Sequence, residues 1–352
     1  MNKYLNLPAL ISLNTFFFIM VVNGLGQDIA QPNHDTTYYK SFQQSIIARV
    51  YLSQKYTTLE LKKGNDAPRL RYRPNTNLNI GFGATYRNLS INIAKGFGFM
   101  NNDDEKGKVK KLDLQFRLYS RKWAIDGYGQ FYKQYYVYPK GRGNADNKNY
   151  YIRPDLKVNL AGISAYRIFN FNKFTLHPAF TQDEVQLKSA GSLLAGAEIY
   201  YGNIKGDSAL VPSTLFSFYD RRSISNVRIL EIGPGVGYAY TLVLPYHFYA
   251  TGSVNVNVNF GLVKETGMNT GSANHVSANA NMLYRVGAGY NDGEWNVNAF
   301  WVNTRFAAKG SLSGNSYILN AGNFRLIFSK RLQPGPKLKK LLRPLDRVLR
   351  VN

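Results

Sequence analysis

Residues Asn77 to Phe99 alternate strictly between apolar and polar side chains in two runs. Apolar residues occupy every second position from Leu78 to Tyr86, and the alternation restarts after Arg87-Asn88. A period of two predicts β-strands, and a two-residue link keeps both apolar sets on one face of a hairpin. The other face carries Asn, Gly, Thr and Ser. This pattern is typical of a transmembrane hairpin with an apolar lipid face and a polar lumen face.

A second pair of runs, Phe248 to Phe260 and Val276 to Val286, repeats the alternation. A soluble β-sandwich would alternate as well, but its wet face would more often carry Lys, Glu and Thr. The polar positions here are mostly Asn and Ser, which suit a crowded barrel interior. The barrel is therefore the preferred interpretation.

The same criteria divide the chain into candidate strands at 46–61, 75–86, 89–99, 110–120, 123–137, 154–168, 174–187, 191–201, 228–243, 248–262, 275–290, 295–306 and 316–329. Short and long connections alternate, as in barrels with short periplasmic turns and longer outer loops. In this order one strand that runs from the periplasmic side to the outer side is missing, and Ala209 to Tyr219 is the candidate for it. The predicted fold is all-β, a transmembrane antiparallel up-and-down β-barrel of about 14 strands, or about 12 if 174–201 pairs differently.

Three residues fit this scheme poorly. Lys95 falls on the lipid face of the first hairpin, so it either snorkels to an interface or is turned inwards by a bulge. Pro178 and Pro234 lie inside predicted strands, where each removes a ladder hydrogen bond. The strands that contain them are the least secure.

The two ends of the chain have their own composition. Residues 1–26 have the order of a cleaved signal peptide, with Lys3, an apolar run and small residues before Gln27. An anchoring transmembrane helix is the alternative. Residues 27–45 are predicted as a periplasmic lead-in and 46–330 as the barrel. The basic segment 331–352 is either an interfacial helix or a frayed periplasmic tail.

Composition supports this interpretation. The chain has 352 residues, a formal charge of +23, no cysteine, 26 Tyr and 21 Phe. The absence of cysteine excludes a disulfide framework and a lipid-modified amino-terminal cysteine. The aromatic content suits the girdles that mark both membrane interfaces of a barrel.

No recognisable catalytic or metal motif is present. The glycine run at 233–237 lacks the ending of a phosphate loop, and the four histidines lack metal spacing. His247 and Ser253 are the nearest Ser-His pair, but no nucleophile motif surrounds them. We therefore expect no cofactor, no metal and no enzymatic activity.

Nine charged residues face the predicted lumen by the same parity: Asp113, Arg117, Asp126, Lys157, Arg167, Glu198, Glu231, Arg285 and Arg325. Opposite charges inside a barrel most often pair and fill the interior. The alternative is a wall that selects small anionic solutes, since rings of Arg or Lys favour anions.

Basic residues also gather in the predicted outer loops, at Lys106, Lys108, Lys140, Arg142 and Lys148. On an outer face these could pair with lipopolysaccharide phosphates. The expected partners are therefore outer-membrane lipid and lipopolysaccharide. Nucleic acid is not expected despite the positive charge, because the signal and the barrel place the chain elsewhere. The sequence does not predict an oligomeric state.

Five runs carry a resemblance to a known family: YLSQKYTTLEL (Tyr51–Leu61), RPNTNLNIGFGATYRNLSINIAKGFGF (Arg73–Phe99), DLQFRLYSRKWAIDGYGQFYKQYY (Asp113–Tyr136), YYIRPDLKVNL (Tyr150–Leu160) and SAGSLLAGAEIYYGNIKGDSALVP (Ser189–Pro212). Together they resemble the Bacteroidetes family called domain of unknown function 4421, from about Asp35 to Leu332. The resemblance implies an outer-membrane β-barrel without an established activity, and it supplies no catalytic residues.

The expected function is a small pore or a filled structural barrel, with a basic lumen and loops that face lipopolysaccharide. Two alternatives from other classes stay open. One is an outer-membrane lipid hydrolase or acyltransferase. The other is a binding or assembly module for periplasmic partners.

Overall fold

The structure is a computed structural model that describes residues 34–342, except 43, 66, 88, 98–99, 101–102 and 220–222. The predicted signal peptide and residues 27–33 of the predicted lead-in therefore lie outside the described residues, as do residues 343–352 of the predicted tail. The described part of the tail is helical at 336–342. None of the described helices is long and apolar enough to span a membrane.

Fifteen strands and one short helix in the described residues form the body of the molecule. In chain order they are β1 (Tyr39–Ser41), β2 (Ile46–Lys62), β3 (Leu70–Arg73), β4 (Asn79–Tyr86), β5 (Leu89–Gly96), β6 (Lys110–Tyr119), β7 (Trp123–Tyr138), β8 (Ile152–Ile168), α1 (His177–Phe180), β9 (Glu184–Gln186), β10 (Ala190–Lys205), β11 (Ile224–Val243), β12 (Phe248–Gly267), β13 (Ser272–Asn291), β14 (Trp295–Lys309) and β15 (Ser316–Leu332).

Thirteen of these strands form one antiparallel sheet that closes on itself. A ring of ten runs from β2 through β3, β7, β8 and β10 to β15, and β15 pairs with β2 along its whole length. Strand β4 pairs with the first half of β2, β5 pairs with β4, and β6 pairs with β7. The predicted fold class is confirmed. The expected number of strands was about 14, or about 12; the closed ring has ten, and β4, β5 and β6 are additional strands of the sheet.

Two of the predicted strands are wrong. Residues 174–187 do not cross the membrane, because Pro178 stands in α1 and β9 pairs with β1 instead of joining the barrel. We call residues 170–189 the plug segment. Residues 209–219 form an outer loop with a 3-10 turn at Ser213–Leu215. Since the plug segment begins and ends at the same end of the barrel, no additional ascending strand is needed.

Apart from the plug segment, short turns join the strands at the end where the chain enters β2 and leaves β15, and most of the longer loops lie at the other end. We call these the periplasmic end and the outer end, following the arrangement of outer-membrane barrels. Along β12 the even-numbered residues from Val254 to Leu262 are exposed on the outer wall. The odd-numbered residues from Ser253 to Asn259 are buried in the lumen. The parity predicted for this strand is therefore confirmed.

The first hairpin also forms with the predicted register, since Tyr86 pairs with Leu89. Phe82 is 65% exposed on the outer wall. Lys95 pairs with Ile80 without a bulge, so it shares the outer face of the hairpin. Among the described strands, β5 and β6 each pair along one edge only. A side-chain contact crosses this part of the wall, where Lys55 Nζ of β2 lies 3.0 Å from Asp113 Oδ1 of β6.

The interior holds two apolar clusters. The outer cluster fills the outer half of the lumen and includes Leu59, Leu61, Tyr72, Tyr135, Leu156, Val158, Phe306, Tyr317 and Leu319. The periplasmic cluster surrounds the plug segment and includes Tyr51, Tyr166, Phe174, Phe180 and Phe300. Burial of these side chains contributes most of the stabilisation that does not come from strand pairing.

Leu319 and Leu326 of β15 provide a matched test of this interior. Leu319 is 0% exposed in the outer cluster, whereas Leu326 is 43% exposed on the lipid face. We expect Leu319→Ala to lower the free energy of unfolding by about 2–5 kcal/mol, because it opens a cavity in a packed region. Leu326→Ala should lower it less. Urea titration, with the folded fraction followed by heat-modifiable gel mobility, measures both. Equal losses of unfolding free energy in the two variants would contradict a packed lumen.

Candidate functional site in the charged lumen

A basic layer occupies the lumen next to the plug segment. Arg285 is fully buried, and its Nη2 lies 2.5 Å from Asp126 Oδ2. Its Nη1 donates to Asn255 Oδ1 at 3.0 Å. Arg117 Nε approaches the other oxygen of Asp126 at 3.3 Å, and Tyr119 donates its hydroxyl to the same carboxylate at 2.9 Å. One carboxylate therefore serves two guanidinium groups.

Two further arginines in this layer have no carboxylate partner among the described residues. The guanidinium of Arg325 lies over the ring of Tyr51 at 4.5 Å and over Phe300 at 5.7 Å. Arg49 donates to the hydroxyl of Thr85 and to the Thr181 carbonyl oxygen. The basic layer therefore has more positive charge than Asp126 neutralises.

Asp113 is the other acid of this region, and it joins three strands. It pairs with Lys55 of β2 and accepts hydrogen bonds from two residues of β7, Gln130 at 2.9 Å and Tyr132 at 2.7 Å. Its carboxylate is therefore occupied by partners on β2 and β7.

An acidic layer lies on the outer side of the basic layer, at Glu198 and Glu231. Asn281 Nδ2 donates to both carboxylates, at 3.2 Å to Glu198 and 2.6 Å to Glu231, so the two acids are close neighbours. Asn259 donates to Glu198 at 2.7 Å and Asn279 to Glu231 at 2.9 Å. No ion pair with a base forms at either carboxylate within the described part of the chain. Amide donors supplied by β12 and β13 hold these acids in place.

A small half-open cavity lies beside the two layers. Its polar lining includes Gln115, Arg117, Asp126, Gln130, Thr304 and Asn323. This polar lining could hold water molecules or a small ion.

Two of the nine predicted lumen charges are wrong. Lys157 and Arg167 are exposed on the outer wall, because β8 turns Leu156, Val158 and Tyr166 inwards. The prediction assumed that apolar residues face lipid along the whole strand. The inner positions of β8 are apolar in the outer half and aromatic at Tyr166, so the assignment of the two faces is inverted along the whole strand. The other seven, Asp113, Arg117, Asp126, Glu198, Glu231, Arg285 and Arg325, lie at the lumen.

Two of the five basic residues predicted in the outer loops form ion pairs with acids of the chain. Lys106 pairs with Asp103 at 2.8 Å, and Lys140 pairs with Glu105 at 2.5 Å. Both ammonium groups lie 5.6 Å from the ring centre of Tyr150. The remaining three are surface residues of the outer loops: Lys108 and Lys148 are exposed, and Arg142 donates to the Arg69 carbonyl oxygen at 2.8 Å.

Sequence reasoning missed the buried polar centre of the plug segment. His177 Nδ1 lies 2.9 Å from Asp183 Oδ1, and Thr181 donates its hydroxyl to the same oxygen. Thr175 donates to Glu184 at 2.6 Å. Arg331 of β15 donates to the Gln182 carbonyl oxygen at 2.7 Å, which ties the segment to the barrel wall. Proline after histidine inside an assumed strand was the available signal for this departure.

The described histidines are spread over separate parts of the molecule. His34 stacks on Tyr39, His247 lies in a turn beside Tyr290, and His275 is on β13. Within the described residues, no group of three or more His, Cys, Asp or Glu side chains is placed to hold a metal ion. The arrangement can bind and orient charge.

Family membership follows from a match over most of the chain. The family described as Domain of unknown function (DUF4421) matches residues 33–328. The chain belongs to this family. The match confirms the family indicated by the sequence motifs. No curated protein sequence matches this DUF4421 chain.

Several solved outer-membrane barrels are similar in structure to the DUF4421 chain. The outer membrane protease OmpT from Escherichia coli is 10% identical with a TM-score of 0.41, and the alignment covers 83% of this chain and 98% of that chain. The toluene transporter TodX from Pseudomonas putida is 7% identical with a TM-score of 0.26, covering 81% and 89%. OmpT of Vibrio cholerae is 10% identical with a TM-score of 0.26, covering 80% and 96%. At these identities no residue role is transferred.

Asp126 should be the most sensitive residue of the lumen. Asp126→Ala leaves the fully buried Arg285 without its carboxylate, so we expect a loss of about 3–5 kcal/mol in unfolding free energy. Asp207→Ala, in an exposed outer loop, serves as the control and should change little. The double variant Asp126→Ala, Arg285→Met should recover part of the loss. A loss for Asp207→Ala equal to that for Asp126→Ala, in urea titrations, would contradict the buried pair.

The plug segment should be sensitive to alkaline pH. Burial opposes the charged form of His177, but the carboxylates of Asp183 and Glu184 outweigh it and raise its pKa to about 9. Because this value exceeds the unfolded value of about 6.5, the stabilisation is complete below pH 6.5 and is lost as pH rises through 9. The stability difference between wild type and His177→Gln should therefore shrink between pH 6.5 and 9.5. In an Asp183→Asn background that pH dependence should be much smaller; an unchanged dependence would disprove the pairing.

Proposed function

We propose that this protein is a closed, non-enzymatic barrel of the outer membrane, exported by a cleaved signal peptide and filled by its own side chains. The observation that carries the proposal is that the chain obstructs its own lumen at both ends. An open, constitutive pore is the function that this arrangement disfavours most.

The outer end is obstructed by the outer cluster together with the loop between β10 and β11. Tyr219 in this loop donates its hydroxyl to the carbonyl oxygens of Leu61 and Pro68, at 3.0 Å and 2.8 Å. Tyr72 donates to the Leu210 carbonyl oxygen in the same loop. Buried hydroxyls with partners fix the loop over the apolar side chains below it.

The plug segment obstructs the periplasmic end. Tyr249 donates its hydroxyl to the Pro178 carbonyl oxygen at 2.9 Å, and Asn298 donates to the Ala179 carbonyl oxygen at 2.7 Å. Phe180 packs edge-on against Phe300 with 5.3 Å between ring centres. Removing the segment from the lumen would break these bonds and expose a buried aromatic surface.

A gated path for small anions is the second candidate function. It is favoured by the unbalanced positive charge of Arg49 and Arg325 in the basic layer. Such a path would require both obstructions to move, and Arg167 would take no part because it lies on the outer wall. The enzyme and periplasmic-assembly alternatives have weaker support. For the first, the sequence contains no recognisable nucleophile motif. The second is supported by the exposed Leu338 and Leu341 of the helical tail.

Conductance in a planar bilayer tests the closed barrel. We expect the folded wild type to give no steady current steps. Replacing residues 174–186 with a Gly-Ser linker of equal length should still give none, because the outer cluster remains. Adding Leu61→Ser and Leu319→Ser to that variant should produce steps. Heat-modifiable gel mobility verifies that each variant is folded.

Steady steps from the wild type would overturn the closed barrel. If Arg117→Gln and Arg325→Gln then reduced the preference for anions over cations, the gated anion path would replace it. If the lumen has no role in selectivity, both variants should show the same preference for anions over cations as the wild type.

A further inference from the structure

A row of four lysines crosses the outer wall of the barrel near its outer end. Lys110 of β6 pairs with Lys133 of β7, Lys133 with Lys157 of β8, and Lys157 with Lys205 of β10. All four side chains are exposed. Paired residues in adjacent antiparallel strands project from the same face, so the ammonium groups form a line about 15 Å long. We call these four residues the basic row.

The positive strip continues over the next two strands. Arg228 of β11 pairs directly with Lys264 of β12, and both are exposed on the outer wall. Lys264 pairs with the uncharged Asn274 of β13, and the strip ends there. Together with the basic row, the pair of Arg228 and Lys264 extends the positive strip from β6 to β12.

The basic row lies at the outer border of the apolar wall. On β8, Lys157 and Arg167 are ten residues apart and enclose the membrane-facing segment. Ten residues of a strand span roughly 33 Å, which a tilt near 40° reduces to about 25 Å, the height of the apolar band of a barrel. Exposed Leu112 and Phe131 lie two residues below the row on β6 and β7. The row is therefore at the level of the outer lipid headgroups.

Like charges opposite each other on neighbouring strands destabilise a sheet. In the loops above the wall, Lys106 and Lys140 are each paired with an acid, Asp103 and Glu105. Within the described residues, no carboxylate forms an ion pair with any lysine of the basic row. Lys106 and Lys140 thus have acids supplied by the chain, and the lysines of the basic row are open to an external anion.

We propose that the basic row binds the phosphates of a phosphorylated glycolipid of the outer leaflet. Lys ammonium groups act as point charges towards phosphate oxygens, and a line of four can contact more than one phosphate. The acyl chains of the same lipid would lie on the apolar side chains below, including Leu112, Phe131 and Tyr201. This continuity of charge and apolar wall selects a lipid over a soluble phosphate compound. The inference rests on the outer-membrane placement in the proposed function.

The experiment measures lipid binding to the folded full chain in detergent. The probes are lipid A with two phosphates, its monophosphoryl form and inorganic phosphate. We expect wild type to bind the diphosphorylated form most tightly, with affinity that falls as salt is raised. The row variant Lys133→Gln, Lys157→Gln, Lys205→Gln should bind it at least about tenfold more weakly. Lys157→Arg, which retains the charge, should remain close to wild type.

The control variant Lys62→Gln, Lys63→Gln, Lys309→Gln removes equal charge from the outer ends of β2 and β14 and the loop that follows β2. We expect its affinity to stay within about twofold of wild type. Equal affinity of the row variant and wild type, or equal losses in both triple variants, would overturn the proposal. Displacement of the lipid by equimolar inorganic phosphate would overturn the lipid assignment. Current steps from the wild type would refute the closed barrel without altering these binding results.

Discussion

Every other feature of this molecule depends on closing a sheet by backbone hydrogen bonds. In lipid an unpaired backbone amide or carbonyl has no water to bond, so a membrane-spanning sheet must return to its first strand. Here β15 meets β2 from Leu332–Ile46 to Ser316–Lys62. Closure by a ring of this size leaves an interior that side chains can fill. The charged layers, the outer cluster and the plug segment are three ways of filling it.

The strand periodicity could be predicted from the sequence. Which face of a strand lines the lumen could be predicted for some strands and not for others. On β12 the inner positions are Ser253, Asn255 and Asn257, so polarity identified the lumen correctly. On β8 the inner positions include Leu156 and Val158, which are as apolar as the residues that face lipid. Alternation shows that a strand has two different faces, but it does not show which of them points into the lumen. Lys157 and Arg167 were misplaced for this reason.

The candidate site was predictable as a set of charges and not as a set of partners. Asp126 and Arg285 are far apart in sequence. They meet because their side chains extend into the lumen from β7 and β13, which lie on opposite walls of the barrel. The plug segment was missed because its stabilising groups are equally distant, as with Arg331 and the Gln182 carbonyl oxygen. Contacts between the two walls depend on strand number and register, which a single sequence does not contain.

The half-paired edges of β5 and β6 have a mechanical consequence. Hydrogen bonds resist separation of neighbouring strands everywhere along the described ring, but the β4–β5 hairpin is attached through the first half of β2 alone. A force that widened the wall would therefore act first between β5 and β6, because these two strands are not hydrogen-bonded neighbours in the described sheet. The contact of Lys55 with Asp113 links β6 to β2 instead. The wall of this barrel is anisotropic in stiffness, with its most compliant side opposite the long strands β11 to β13.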